Sequence, residues 1–192
     1  MHDGGAFGTS ADGTGVVAVQ SWGAATRETI EGEPGNAFIG LQWSPDGQRL
    51  IGSNSTDLWL HTLGAESKLL VENAHFGTWS PDGAEVAFRR GAGRDHRELW
   101  IVSAEGGEPR MIVGGDVHLS HPQWHPSDPD RILVVIDHLD LGVVRVSTGE
   151  LERITTLASS TVLVDYPSWS PDGETVYFSL ARKRGDLYLI EQ

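Results

Sequence analysis

The chain has 192 residues, with 14 lysines and arginines against 27 aspartates and glutamates, a net charge of −13. That length suits one domain with a sizeable core. The charge argues against nucleic acid, where like charges would meet, and favours a protein or peptide partner, above all a basic one. Cysteine is absent, which excludes disulfides and thiolate metal sites. No apolar run reaches the roughly 18–20 residues of a membrane helix, so no membrane insertion is expected. The opening "MHDGGAFGTSADG" lacks the basic and apolar regions of a signal peptide. The expected location is cytoplasmic for a complete chain, and periplasmic or secreted if a leader has been removed.

In chain order, a worn unit comes first, "TSADGTGVVAV" from Thr9. "AFIGLQW" at 37–43 then predicts a strand ending at Trp43, and "SPDG" a turn. Proline sets φ at the second turn position, aspartate suits the third, and glycine takes the left-handed residue beyond. The same turn returns at Pro81-Asp82-Gly83 and Pro171-Asp172-Gly173, followed by the alternating strands "AEVAFRR" at 84–90 and "ETVYFSL" at 174–180. Third strands are expected at 57–63, 98–104, 142–148 and 186–192, and short fourth strands at 67–72, 108–114 and 150–156. Trp43, Trp79, Trp124 and Trp169, with Thr9, start units 34, 36, 45 and 45 residues apart. Such a period predicts an all-β fold, a β-propeller of four-stranded antiparallel blades. About five repeats are expected in a single domain over 1–192, at approximately 1–34, 35–72, 73–114, 115–158 and 159–192. The repeated tryptophans are expected to pack between blades, with Trp59, Trp100 and Tyr188 in a second layer and Trp22 exposed.

The Trp-Ser-Pro-Asp-Gly motif, with Asp57-Leu58-Trp59, Glu98-Leu99-Trp100 and Asp186-Leu187-Tyr188 after it, resembles the WD40-like repeat of TolB-type β-propellers. Residues 124–148 depart from it: His125 replaces serine, "SDPD" replaces the Asp-Gly pair, and Val143-Val144 replace the Leu-aromatic pair. The resemblance implies a propeller that usually has six or seven blades. Its members serve as protein-binding platforms, as accessory propellers of serine peptidases related to prolyl oligopeptidase, or as some lyases. Five copies leave three arrangements open: a short closed ring, an open arc whose blade edges pair in a homodimer, or a truncated part of a longer propeller.

No Gly-x-Ser-x-Gly elbow and no phosphate-binding glycine loop is present. His118, His121 and His138 gather in the atypical repeat and are the candidate metal ligands, with Asp116, Asp137 or Asp140 as carboxylate partner. Neutral imidazoles of that kind hold Mn²⁺, Zn²⁺ or Fe²⁺. "HPQWHPSDPDRIL" at 121–133 is similar to a stretch of oligogalacturonate lyases, which implies His121 and Gln123 as the place for their channel metal. Arg89, Arg90, Arg94 and Arg97 read as a solvated loop. Asp46, Asp82 and Asp172 are explained by turns, and Asp57, Glu98 and Asp186 by hydrogen bonds at strand starts. The reading points away from an enzyme: a non-enzymatic protein-binding scaffold with no catalytic residue and no resident cofactor, its contact surface in the rim loops at 89–97 and 114–121. A metal-dependent oligogalacturonate lyase-like enzyme and an accessory peptidase propeller are the alternatives.

Overall fold

The computed structural model describes three strands at 6–9, 17–20 and 28–30, and then residues 39–54, 56–90, 98–115, 117–157 and 162–182. The fold is all-β. Strands β1 (Ala6–Thr9), β2 (Val17–Gln20) and β3 (Glu28–Ile30) form a three-stranded sheet. The second sheet is β4 (Ile39–Trp43), β5 (Arg49–Ser53), β6 (Leu58–Thr62) and β7 (Lys68–Val71). The third is β8 (Ala74–Trp79), β9 (Glu85–Arg90), β10 (Glu98–Ser103) and β11 (Arg110–Val113). The fourth is β12 (Leu119–Trp124), β13 (Arg131–Ile136), β14 (Asp140–Arg145) and β15 (Leu151–Arg153). Strands β16 (Val162–Trp169) and β17 (Val176–Arg182) pair as a fifth. Every pairing is antiparallel and joins strands consecutive in the chain. The sheets stand as the blades of an open, unclosed propeller. The expected third strand at 186–192, with Tyr188 and Asp186, lies outside the described residues, as do Trp22, Arg94, Arg97 and Asp116.

The core lies between blades. Leu58, Ile51 and Leu60 of the second blade pack on Trp79, Val86 and Phe88 of the third. Ala87, Leu99 and Ile101 pack on Leu119, Trp124 and Ile132. Leu133, Val135 and Leu141 pack on Val164, with Trp169 and Val176 at the edge. Each blade is apolar on both faces, and only a neighbouring blade covers them. The tryptophans pack as expected, and two of them reach across. Trp79 Nε1 donates to the Gln42 carbonyl at 3.1 Å, and Trp169 Nε1 to the Gln123 carbonyl at 3.1 Å. The buried indole thus satisfies its one donor on the preceding blade. Trp124 donates instead within its own blade, to the Pro129 carbonyl.

The turns explain why serine opens the motif. Ser80 Oγ donates to Asp82 Oδ1 at 2.6 Å and accepts the Glu85 amide at 2.9 Å. Gly83, left-handed at φ 71°, donates its amide to the Ser80 carbonyl. Ser44 and Ser170 repeat the arrangement with Asp46 and Asp172. The serine hydroxyl, followed by a backbone amide, holds these three carboxyls below their ordinary range. In the atypical repeat His125 takes over. Its Nδ1 accepts the Asp128 amide at 3.0 Å, and its Nε2 lies 3.2 Å from the Gly173 carbonyl of the next blade. One nitrogen accepts and the other donates, so the ring is neutral and protonated at Nε2.

Two expectations shift. The third strand of the fourth blade starts at Asp140, ahead of residue 142, because Asp137 and His138 are both left-handed and close a tight hairpin. His138 is therefore a turn residue and does not end a strand. Arg89 and Arg90 belong to β9 and lie over the Phe76 and Trp100 rings, so they are not loop residues.

Gly83 and Gly173 share a turn position but not a neighbourhood. A Cβ on Gly83 would lie 3.5 Å from Pro45 Cδ, an ordinary contact, whereas one on Gly173 would collide with the His125 ring. Gly83→Ala should cost about 1 kcal/mol from backbone strain alone. Gly173→Ala should cost about 1–3 kcal/mol more, read as the difference between the two denaturation midpoints.

Candidate functional site

The first strands of the second to fifth blades, β4, β8, β12 and β16, carry the same irregularity. Three residues before the tryptophan the backbone turns left-handed: Gly40 at φ 62°, Phe76 at 56°, His121 at 49° and Tyr166 at 51°. The pairing register shifts there each time, between Ile39 and Gln42, His75 and Thr78, Ser120 and Gln123, and Asp165 and Ser168. These are β-bulges, which re-aim one side chain off the sheet. A left-handed φ is unfavourable for phenylalanine, histidine and tyrosine. Its recurrence marks a built feature. The residue after the bulge helps: Gly77 has no room for a Cβ against Leu58 Cδ1 at 2.8 Å, and Pro122 and Pro167 carry no amide to satisfy.

The re-aimed side chains line a cavity of about 510 Å³ with Gln42, Gln123 and Ser168. Phe76 and His121 have ring centroids 4.2 Å apart, and His121 and Tyr166 5.1 Å apart with an edge-on tilt. Three blades thus supply one continuous aromatic strip. Gln42 Nε2 donates to Gln123 Oε1 at 3.2 Å, tying the second blade to the fourth across the cavity. Tyr166 is 71 % exposed, although it stands in a strand between packed neighbours.

The candidate metal ligands fall beside this strip. The His118 and His138 rings stand 4.8 Å apart. His138 Nδ1 lies 3.4 Å and His121 Nδ1 4.0 Å from Asp165 Oδ1 of the next blade. The structure therefore draws the three histidines into one neighbourhood. Among the described residues, no three His, Asp or Glu side chains are arranged to hold a metal ion. The carboxylates differ from those expected. Asp140 is buried and fully engaged: it accepts the Leu157 amide at 2.6 Å and the Thr155 hydroxyl at 3.1 Å, and bonds the Arg153 guanidinium. Asp137 accepts the His118 amide at 3.0 Å. Asp165 is the acid that faces the rings. Asp57 and Glu98 serve strand starts, accepting the Asn73 amide and the Trp100 indole N–H. Glu98 thus accepts from a side chain, where a loop amide was expected.

Sequence reasoning missed Phe76, Tyr166 and Asp165. Aligning the strands on the tryptophan shows Gly, Phe, His and Tyr three residues earlier, a column of mostly aromatic residues where a strand would otherwise alternate. Asp165 carried no such signal, since its column reads Ile39, His75, Ser120 and Asp165.

No family model matches the chain. The Tol-Pal system protein TolB of Anaeromyxobacter dehalogenans is 31 % identical over 119 residues, 58 % of this chain and 27 % of that protein. The chain spans about a quarter of the length of the curated relatives it matches best. The structure of a putative TolB from Agrobacterium tumefaciens superposes with a TM-score of 0.71 at 21 % identity, over 92 % of this chain and 69 % of that one. Oligogalacturonate lyase in complex with manganese superposes with a TM-score of 0.68 at 14 % identity, over 88 % and 54 %. At such identities the likeness shows the fold alone. That fold is a TolB-like β-propeller, here open and built of four-stranded antiparallel blades.

Burial pushes the His121 imidazole down to about 4, with the Asp165 charge opposing and the His138 charge adding to the shift. Burial likewise pushes His61 down to about 4. The unfolded chain therefore binds more protons than the folded one between about pH 4 and pH 6.5. Stability is full above that window and is lost as pH falls through it, by up to about 1.4 kcal/mol per pH unit for each group. Phe76 shows that the bulge accepts phenylalanine. His121→Phe should fold and should remove about one proton's share of that slope, measured by urea denaturation at a series of pH values.

Proposed function

We propose that this chain is a non-enzymatic protein-binding scaffold that engages a peptide segment of its partner at the mouth of the axial cavity. The observation that carries this reading is the aromatic strip Phe76–His121–Tyr166, supplied by three blades and ending in an exposed tyrosine. Aromatic side chains with a polar tip supply large contact area at low entropic cost, and exposed apolar groups at a concave rim mark binding surfaces. Kinship in fold with TolB proteins supports it, because the two matched proteins bear that name. The charge of −13 steers basic partners toward the molecule at long range.

An alternative, a metal-dependent lyase using His118, His121 and His138, draws on the likeness in fold to oligogalacturonate lyase. The two readings part on measurement. Binding to an array of immobilised ten-residue peptides should be detectable and should fall about tenfold in Tyr166→Ala, a loss typical of an aromatic anchor. Stoichiometric manganese by elemental analysis, lost in His121→Ala, together with no peptide binding, would overturn the scaffold reading. Light scattering adds the assembly state: a mass near 20.8 kDa leaves the mouth on one chain, and a mass twice that means blade edges pair between copies.

A further inference from the structure

We infer that the peptide bound at the mouth presents a carboxylate, held by the Arg89 guanidinium with the His118 ring beside it; the inference rests on the peptide-binding reading above. Arg89 lies on β9 opposite His75, with its guanidinium carbon 5.2 Å from the Phe76 centroid. It therefore backs the first ring of the aromatic strip. Its Nε is buried and bonds nothing, and among the described residues no carboxylate pairs with it. The other arginines with described side chains are different. Arg49, Arg110, Arg131, Arg145 and Arg153 each meet an Asp or Glu. Arg90 stands opposite Glu98 in the sheet. Half-buried against an aromatic ring, with no described acid beside it, this cation is suited to meet an anion.

His118 lies close enough to feel the Arg89 charge. Its Nδ1 is buried and also bonds nothing. The acids around it are committed elsewhere. Asp137 accepts the His118 backbone amide, and Asp165 lies beside His138 and His121. A carboxylate in the plane of the Arg89 guanidinium, facing its two terminal nitrogens, takes the two parallel N–H bonds of that fork, a geometry a lysine cannot reproduce. Stacking on Phe76 holds that fork in place before the ligand arrives. The net charge does not oppose this contact, because repulsion beyond about 8 Å is screened at physiological salt while the contact itself is not. The ligand that satisfies both fields is a peptide with one acidic residue, or a free C-terminal carboxylate, among basic ones.

The test uses the full chain and the immobilised ten-residue peptides. Those that bind are remade with each Asp or Glu changed to Asn or Gln, and with an amidated C-terminus. One such change should weaken binding about tenfold, the size of a charge-assisted hydrogen bond. Arg89→Gln should weaken the parent peptide by the same factor and should no longer distinguish it from the neutralised one. Arg89→Lys keeps the charge without the fork and should fall between the two, which guards against a Gln variant that fails to fold. Peptides that bind but tolerate every neutralisation within about twofold, or bind Arg89→Gln as tightly, overturn the inference and leave the scaffold reading standing. Absence of any peptide binding, with or without binding of digalacturonate, overturns both.

Discussion

A sheet with two apolar faces cannot stand alone in water, and that constraint governs this molecule. The described four-stranded blades carry apolar residues on both sides, and the three larger buried clusters lie between blades. Stability is therefore interface stability, shared between neighbours in sequence, as in other stacked repeats. The tryptophan that ends β8, β12 and β16 is the device that fixes the interface. It fills the gap with the largest apolar side chain, and in two blades its indole N–H bonds the backbone of the blade before. Packing and hydrogen bonding act through one residue, so blade spacing and blade register are set together.

Once the interfaces hold the first strands in place, those strands can carry strain. Phe76, His121 and Tyr166 occupy left-handed backbone conformations that cost roughly 1–3 kcal/mol each in isolation. The ladders on either side of each bulge and the neighbouring blades over-determine the conformation. What the strain supports is a set of side chains turned toward a common cavity. The aromatic strip is thus a product of the packing, and His118 and His138 meet because the pairing of β12 with β13, Leu119 opposite Ile136, sets His118 beside the hairpin that carries His138.

The charge of this protein divides into spent and unspent groups. The turn aspartates are spent on serine hydroxyls and amides, and Asp140 is spent on the strand end after β15. Most described arginines are spent on carboxylates. Arg89 is not, and it sits against the strip of aromatic rings. In the reading proposed above, the global charge acts on partners at long range and Arg89 acts at the contact itself.

Much of this was legible along the chain. The "SPDG" turns dictate their own geometry, because proline, aspartate and glycine each suit one turn position. The alternating strands and the tryptophan spacing then leave few architectures besides stacked four-stranded blades. The three histidines of the atypical repeat, His118, His121 and His138, lie near one another in the fold, as their grouping along the chain suggested. The sequence could not show Asp165 reaching them, because it comes from the next blade and its column in the repeat has no common chemistry. Nor could it show that Arg89 is half-buried on a ring, since an Arg-Arg pair at the end of a strand reads like any solvated edge. Local rules determine turns, strands and repeats, since each depends on residues close in the chain. The cavity and the aromatic strip that lines it depend on how successive blades lean on one another, and only the assembled tertiary structure decides that.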